Sequence, residues 1–190
     1  LKALGIKIEI GQQASLPEEV DLLIYSAAVI SESPQRIEAK KRHIPELSYP
    51  QALGELSKSY EIVVCVSGTN GKTTTTAMIG RILEEAYENP TVIVVGKVLA
   101  WNSNTRIGGT KYLVLEADEY RRAFLNYAPD VLVITNIETD HLDYFKDLRD
   151  ILSAFMEFLG KLKPGGTIVY NSKDPNSANL AQETELKKLP

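Results

Sequence analysis

Short runs of β-branched residues alternate with stretches of helical periodicity along most of this chain. Ile62–Val66 is an unbroken apolar run and predicts a parallel strand buried on both faces. Thr91–Val95, Tyr112–Leu115, Val131–Ile134 and Thr167–Tyr170 are further predicted strands of the same kind. Between them, Met78, Ile79, Ile82, Leu83 and Ala86 recur at helical spacing. Leu148, Ile151, Leu152, Phe155, Leu159 and Leu162 form one face of a helix predicted over Asp147–Leu162, which Lys163-Pro164-Gly165-Gly166 terminates. Strands alternating with helices predict an α/β fold built on a doubly wound, mostly parallel sheet. The small and polar residues from Gly96 to Gly109 read as a loop.

The first 48 residues carry shorter elements. Strands are predicted at Ile6–Ile10, behind a helix end capped by Gly5, and at Asp21–Tyr25. A basic helix follows over Gln35–Arg42, with Ser33 as N-cap and Pro34 at the first helical position. Ile44–Leu47 is a brief extended piece. This βαβ-type layout predicts part of a Rossmann-like domain over 1–48 and a second domain over 49–190, with a surface helix and connector at Tyr49–Tyr60. The chain opens without a methionine and closes on the polar stretch Glu185–Pro190, with no closing element predicted. It reads as an internal piece of a longer protein.

Composition narrows the function classes. With 44% hydrophobic and 24% charged residues, the 190-residue chain is ordinary globular material. A net charge of -4 gives no general attraction to nucleic acid or to an anionic membrane, so neither is an expected partner. No apolar run approaches the length of about 18 residues needed to span a bilayer. The basic cluster Lys40-Lys41-Arg42-His43 reads as a solvated helix face, offset by Glu38. The single Cys65 excludes an internal disulfide framework and fits a cytoplasmic setting.

The chemistry concentrates where the apolar runs end. Ile62–Val66 leads into Gly68-Thr69-Asn70-Gly71-Lys72-Thr73-Thr74 and then into a helix. This is the layout of a phosphate-binding P-loop, whose glycines let the backbone N–H groups converge on one anion at a helix N-terminus. Lys72 is placed to reach the β/γ-phosphates of a nucleoside triphosphate, and Thr73 to bind the accompanying metal. Val66 stands where the usual pattern has its first glycine. Two polar segments follow neighbouring strands, Glu116-Ala117-Asp118-Glu119-Tyr120 and Thr135-Asn136-Ile137-Glu138-Thr139-Asp140-His141. Functional groups of open α/β sheets gather at carboxyl strand ends, so these acids and the histidine are expected to face the triphosphate. Glu116 fits a hard Mg²⁺ ion, or else belongs to a solvated acidic loop. His141 is a softer ligand, so it reads as a second, weaker metal ligand, a phosphate contact, or a capping or core histidine.

Taken in order, these segments resemble the Mur ligase family. The resemblance covers Gly68–Thr75, Asn104-Thr105-Arg106-Ile107-Gly108, Glu116–Tyr120 with Phe124-Leu125, Thr135–Asp143 and Val169–Asn176. Tyr25-Ser26-Ala27-Ala28, Pro34 and Ile44-Pro45 are similar to the end of the family's UDP-binding first domain. The resemblance implies the family's central ATP-binding domain preceded by part of that first domain. It is nearest to the branches that join L-alanine, or a recycled murein tripeptide, to UDP-N-acetylmuramate. By this resemblance, Lys72 and the loop from Gly68 to Thr74 hold ATP. Thr73 and Glu116 bind Mg²⁺, and His141 helps hold a second ion. Asn104 and Arg106 face the UDP-muramoyl substrate. The implied reaction phosphorylates a substrate carboxylate and then admits an amino-acid amine, with Lys72, Glu116 and His141 as its catalytic residues.

Three departures stand against the family pattern. Arg121 replaces an aspartate, Gly96-Lys97 replaces a Gly-Gly pair, and Asn70 stands where alanine-adding members often have histidine. The glycine-rich uridine-binding start and the amino-acid-binding third domain are not seen in this chain. The chain by itself is therefore expected to bind nucleotide without ligating. The remaining alternatives are a non-catalytic homologue and a P-loop switch. Against a guanine-specific switch, Asn171-Ser172-Lys173-Asp174 has its lysine one place too late.

Overall fold

Two short strands, β1 (Leu23–Tyr25) and β2 (Glu46–Ser48), pair in parallel, with helix α1 (Pro34–Lys41) between them in the chain. The computed structural model describes residues 5–8, 16–185 and 187–190 and divides into two compact units, the first ending at Ala52 and the second running Leu53–Pro190. In the first unit Arg36 of α1 bonds Glu46 at 2.9 Å and lies over the Tyr25 ring, which ties both strands to the helix. Ser33 occupies the N-cap position with extended backbone, but its hydroxyl makes no cap bond. The strand expected at Ile6–Ile10 does not form over Ile6–Ile8. Ile6 and Ile8 are exposed and lie in no strand, while Glu9 and Ile10 fall outside the described residues, as does the helix end expected before Gly5. A strand needs a neighbour for its backbone groups, and β1 finds that neighbour in β2.

The boundary between the units falls within α2 (Tyr49–Ser57), whose Leu53, Gly54 and Ser57 are buried. The expected surface helix therefore has a buried side. β3 (Ile62–Ser67), α3 (Lys72–Glu85), β4 (Thr91–Val98), β5 (Ser103–Arg106), β6 (Tyr112–Glu116), β7 (Val131–Ile134), α4 (Leu148–Leu159), β8 (Thr167–Tyr170), α5 (Pro175–Gln182) and β9 (Lys187–Leu189) follow. The strands make one seven-stranded sheet of order β5-β4-β6-β3-β7-β8-β9. All of its pairings are parallel except β4 with β5.

Each apolar strand presents alternate residues to opposite faces. Val64, Val92, Val94 and Val114 pack with Ile79 and Leu83 of α3 on one side. Val63, Cys65, Leu113, Leu115, Leu132 and Ile134 pack on the other side with Phe155 and Phe158 of α4 and Leu180 of α5. Phe124, fully buried, meets Phe155 edge-on at 5.3 Å and Phe158 at 4.5 Å. Asp147 caps α4 by accepting the Asp150 N–H at 2.9 Å. The helix closes at Leu159 and not at Leu162, because Lys161 and Leu162 bond back only three residues in a final tighter turn. Leu162 still packs on the core.

β5 and β9 occupy the two edges of the sheet. In sequence both are irregular polar stretches, because an edge strand exposed to water needs no apolar run. Among the described residues, no helix is long and apolar enough to cross a membrane.

Cys65 sits in β3 with no exposed surface, and burial pushes its thiol well above the usual range, with Asp130 adding to the effect. A thiol reagent at pH 8 is therefore expected to leave native Cys65 unmodified and to label it fully in guanidinium. Prompt stoichiometric labelling of the native protein would overturn this placement.

Candidate functional site

Because β3, β6 and β7 run in parallel, their carboxyl ends share one rim. Val66 lies opposite Glu116, and Ser67 opposite Ile134. The chain leaves β3 at Gly68 with φ of 129° and enters α3 from Gly71 with φ of 81°, backbone conformations that favour glycine. A Cβ at Gly68 would lie 2.2 Å from the Thr135 hydroxyl and 2.7 Å from the Asn136 carbonyl oxygen. Gly71 caps α3 without a side chain, so the positive end of a 14-residue helix is not covered by a capping group.

The segment after β7 is bound to this loop. The Thr69 N–H donates to the Asn136 carbonyl at 2.9 Å, and the Asn70 N–H donates to Asn136 Oδ1 at 3.0 Å. Asn136 Nδ2 and the Thr135 hydroxyl both donate to the Asn70 carbonyl, at 3.1 and 2.6 Å. The Glu138 N–H donates to Thr69 Oγ1 at 2.8 Å. Sequence reasoning marked this segment for its acids and histidine and missed Thr135 and Asn136 as the loop's support. The available signal was its place at the end of a strand beside β3.

Thr73 and Glu116 are brought together as expected. The Thr73 hydroxyl donates to Glu116 Oε1 at 2.8 Å, while Glu116 Oε2 accepts the Val95 N–H at 2.7 Å. Adjacent hydroxyl and carboxylate oxygens suit a hard cation such as Mg²⁺, which takes few protein ligands and completes its shell with phosphate and water.

Lys72 meets a carboxylate that sequence reasoning left without a role. Its ammonium donates to the Gly68 and Thr69 carbonyls at 2.7 and 3.3 Å and to both oxygens of Glu119 at 3.0 Å. Glu119 is only 2% exposed. Burial raises its carboxyl above the ordinary range, and the Lys72 charge opposes that rise. The sequence singled out Glu116 of this acidic segment for a metal and gave Glu119 no role, because its contact with Lys72 joins residues 47 positions apart in the chain.

The structure gathers His141 with Asp118 and Glu119, their ligand atoms all within 4.8 Å of one another. The Tyr120 ring lies 4.8 Å from the His141 ring, and its hydroxyl donates to Asp143 at 2.7 Å. His141, Arg121 and Arg122 all adopt positive φ, at 51°, 51° and 57°. Such left-handed backbone at residues other than glycine costs on the order of 1–3 kcal/mol each and recurs at functional sites. Arg121, the departure from the family pattern, lies beside the Tyr120 ring.

Arg106 is not at this rim. β5 runs antiparallel to β4 with Arg106 opposite Val92, at the end of the sheet where β4 begins. Its guanidinium donates to Glu84 at 3.1 Å, to Asn89 at 3.2 Å and to the Pro90 carbonyl, which fastens the α3–β4 connection. Asn104 is exposed on the same edge strand and, among the described residues, makes no hydrogen bond to the loop. Lys97, the second departure, lines a groove of about 480 Å³ along α3 with Thr73, Thr74, Met78 and Ile82.

Comparison with known proteins matches two family models to successive parts of the chain. Residues 66–190 match the model of the Mur ligase middle domain, and residues 1–61 match that of the Mur ligase family, catalytic domain. The UDP-N-acetylmuramate--L-alanine ligase of Acetivibrio thermocellus is 42% identical over 96% of this chain and 39% of its own length. Among solved structures, the UDP-N-acetylmuramate:L-alanyl-gamma-D-glutamyl-meso-diaminopimelate ligase of Neisseria meningitides superposes with a TM-score of 0.87 at 26% identity, over 98% of this chain and 64% of that one. The UDP-N-acetylmuramate-alanine ligase of Thermotoga maritima gives 0.78 at 29% identity, over 94% and 41%. The chain thus spans about two fifths of the length of the curated relatives it matches.

Gly68→Ala is expected to lower the melting temperature by about 2–10 °C, from a strained φ and a collision with the segment after β7. Gly109→Ala, whose added Cβ meets nothing nearer than 3.7 Å, serves as the control. Equal melting temperatures for the two variants would refute the tight docking at Gly68.

Proposed function

The chain belongs to the Mur ligase family, and from that premise we propose that it is the nucleotide-handling part of an ATP-dependent ligase joining L-alanine to the carboxylate of UDP-N-acetylmuramate. The observation that carries this reading is the Gly68–Gly71 loop leading into Lys72 and Thr73, with Thr73 bonded to Glu116, at one rim of a parallel sheet. Relatives about 40% identical over nearly the whole chain bear the name of that ligase. The domain division, 1–48 from the UDP-substrate domain and 49–190 from the ATP-binding domain, belongs to the same proposal, as does a cytoplasmic location.

In this proposal the loop Gly68–Thr74 and the Lys72 ammonium bind the triphosphate; since Asn136 takes up the Thr69 and Asn70 N–H groups, the bonding amides are those at the N-terminus of α3, from Gly71 to Thr74. A carboxylate and a triphosphate are both anions, so their approach needs positive charge fixed in advance. A carboxylate oxygen of the substrate attacks the γ-phosphorus, and the bond to ADP breaks. The amine then attacks the acyl phosphate carbon, phosphate leaves, and the amine proton is lost. Mg²⁺ would supply charge neutralisation between the phosphate oxygens. Thr73 and Glu116 offer oxygen ligands for one ion, and a ring nitrogen of His141, with Asp118 nearby, would help hold a second. Lys72, Glu116 and His141 are the catalytic groups of this proposal. Asn104 and Arg106 are retained as substrate-facing only by resemblance. The bonds of Arg106 to Glu84 and Asn89 favour a structural role for it.

A second reading, ligation of a murein tripeptide in place of L-alanine, draws support from the high structural similarity to the ligase of Neisseria meningitides. Phosphate release by the intact protein with ATP, Mg²⁺ and UDP-N-acetylmuramate separates the two. Release that depends on L-alanine is expected, and release that depends on the tripeptide would establish the second reading. Neither dependence would leave a non-catalytic homologue. Lys72→Ala is expected to lower the turnover by about a hundredfold or more with the fold retained. Unchanged turnover in that variant would sink the site assignment.

A further inference from the structure

We propose that Glu119 is a positioning residue that competes with phosphate for Lys72, so that nucleotide binds only by exchanging this buried carboxylate for its own anionic oxygens. The proposal rests on the nucleotide-site reading above and adds a residue to it.

An ammonium group has three hydrogens to donate. Those of Lys72 face two loop carbonyls and a bidentate carboxylate, all between 2.7 and 3.3 Å. A phosphate oxygen can enter this set only when one of those acceptors leaves. The two carbonyls belong to the loop backbone, so the acceptor able to leave is Glu119. Its two oxygens, both 3.0 Å from Nζ, present to the lysine the pattern of charge that a phosphate group presents.

The carboxylate is held in this position from behind. The Glu119 carbonyl accepts the Arg122 N–H at 2.9 Å, across a turn in which Arg121 and Arg122 both take left-handed backbone. The Arg122 guanidinium in turn donates to Asp150 at 2.9 Å and to Glu157 at 2.5 Å, both on α4. The turn that carries Glu119 is therefore fixed to a core helix, and its carboxylate meets Lys72 without depending on solvent. Burial makes the pair consequential. The Lys72 and Glu119 side chains are 14% and 3% exposed, so neither charge is rehydrated cheaply when the pair opens. Asp118 beside Glu119 adds repulsion once the lysine moves away. An apparent affinity falls by the fraction of protein in the competent arrangement. The pair therefore weakens nucleotide binding by whatever free energy its opening costs, and it sharpens selection for ligands with a phosphate able to replace a carboxylate on Lys72.

The test is calorimetric titration of the intact protein with the non-hydrolysable β,γ-imido analogue of ATP and Mg²⁺. Glu119→Gln is expected to lower the Kd by roughly tenfold, within the range of ordinary coupling between sites. In a Lys72→Met background the same substitution is expected to change the Kd by less than about threefold, because no lysine remains to be released. Glu119→Asp, one methylene too short for the bidentate contact, is expected to tighten binding in the same direction, and it serves if Glu119→Gln fails to fold. A residue with only a structural role would instead weaken binding and lower the melting temperature. Unchanged or weaker binding by both Glu119 variants overturns the proposal, as does equal tightening in the Lys72→Met background. If binding falls on Lys72→Met while the Glu119 variants fail to tighten it, the nucleotide site stands and the competition does not. No binding by the unmodified protein would remove both.

Discussion

Parallel pairing of β3 with β6 on one side and β7 on the other is the constraint on which the rest of this structure depends. Five residues of β3 have no more than 8% of their surface exposed, so their backbone groups have no recourse to water and must bond to neighbouring strands. Once those neighbours run in parallel, three polar chain segments emerge side by side. The glycine loop comes from β3, the acidic segment from β6 and the Thr135–His141 segment from β7. The helices that return the chain cover both faces of the sheet, which leaves the rim as the place where polar groups converge.

What converges there is a set of opposed charges held by strain and by contact with the core. Glu116 joins three elements through Thr73 and the Val95 N–H, so its carboxylate has little freedom. Glu119 is turned inward by consecutive left-handed residues, and Arg122 fastens that turn to α4 through Asp150 and Glu157. The glycine loop after β3 is held by backbone and side-chain bonds from Thr135, Asn136 and Glu138. These arrangements spend conformational freedom in advance, so the dipoles and charges at the rim are fixed before any ligand arrives.

Membership of the Mur ligase family gives these contacts a common setting, and the chain's departures from the family pattern sit close to the site. Arg121 lies against the Tyr120 ring, within the strained turn that follows Glu119. Lys97 lies along α3 beside Thr73 and Thr74. The backbone of Asn70 is held by Asn136 and Thr135, so the loop's path at that point is set by partners outside it. None of the three departures removes Lys72, Thr73, Glu116 or His141.

The sequence by itself determined the α/β class, the buried strands and the glycine turn between β3 and α3, because each rests on a local signal. Short β-branched runs between turn signals favour buried strands by their length and composition, and Gly68–Thr73 between such a strand and a helical repeat has a strong local meaning. Glu116 and His141 were legible for the same reason, as polar residues just past apolar runs. β5 and β9 were not, because edge strands take their conformation from a neighbour and show no periodicity of their own. Over Ile6–Ile8 the predicted strand erred in the opposite direction, since alternation cannot supply a pairing partner. Only the tertiary structure brought Glu119 to Lys72. It also moved Arg106 to the far end of the sheet, through the antiparallel register of β5. Those assignments depend on which way each strand runs and on what lies across it, and such long-range contacts are not encoded in any one segment of the chain.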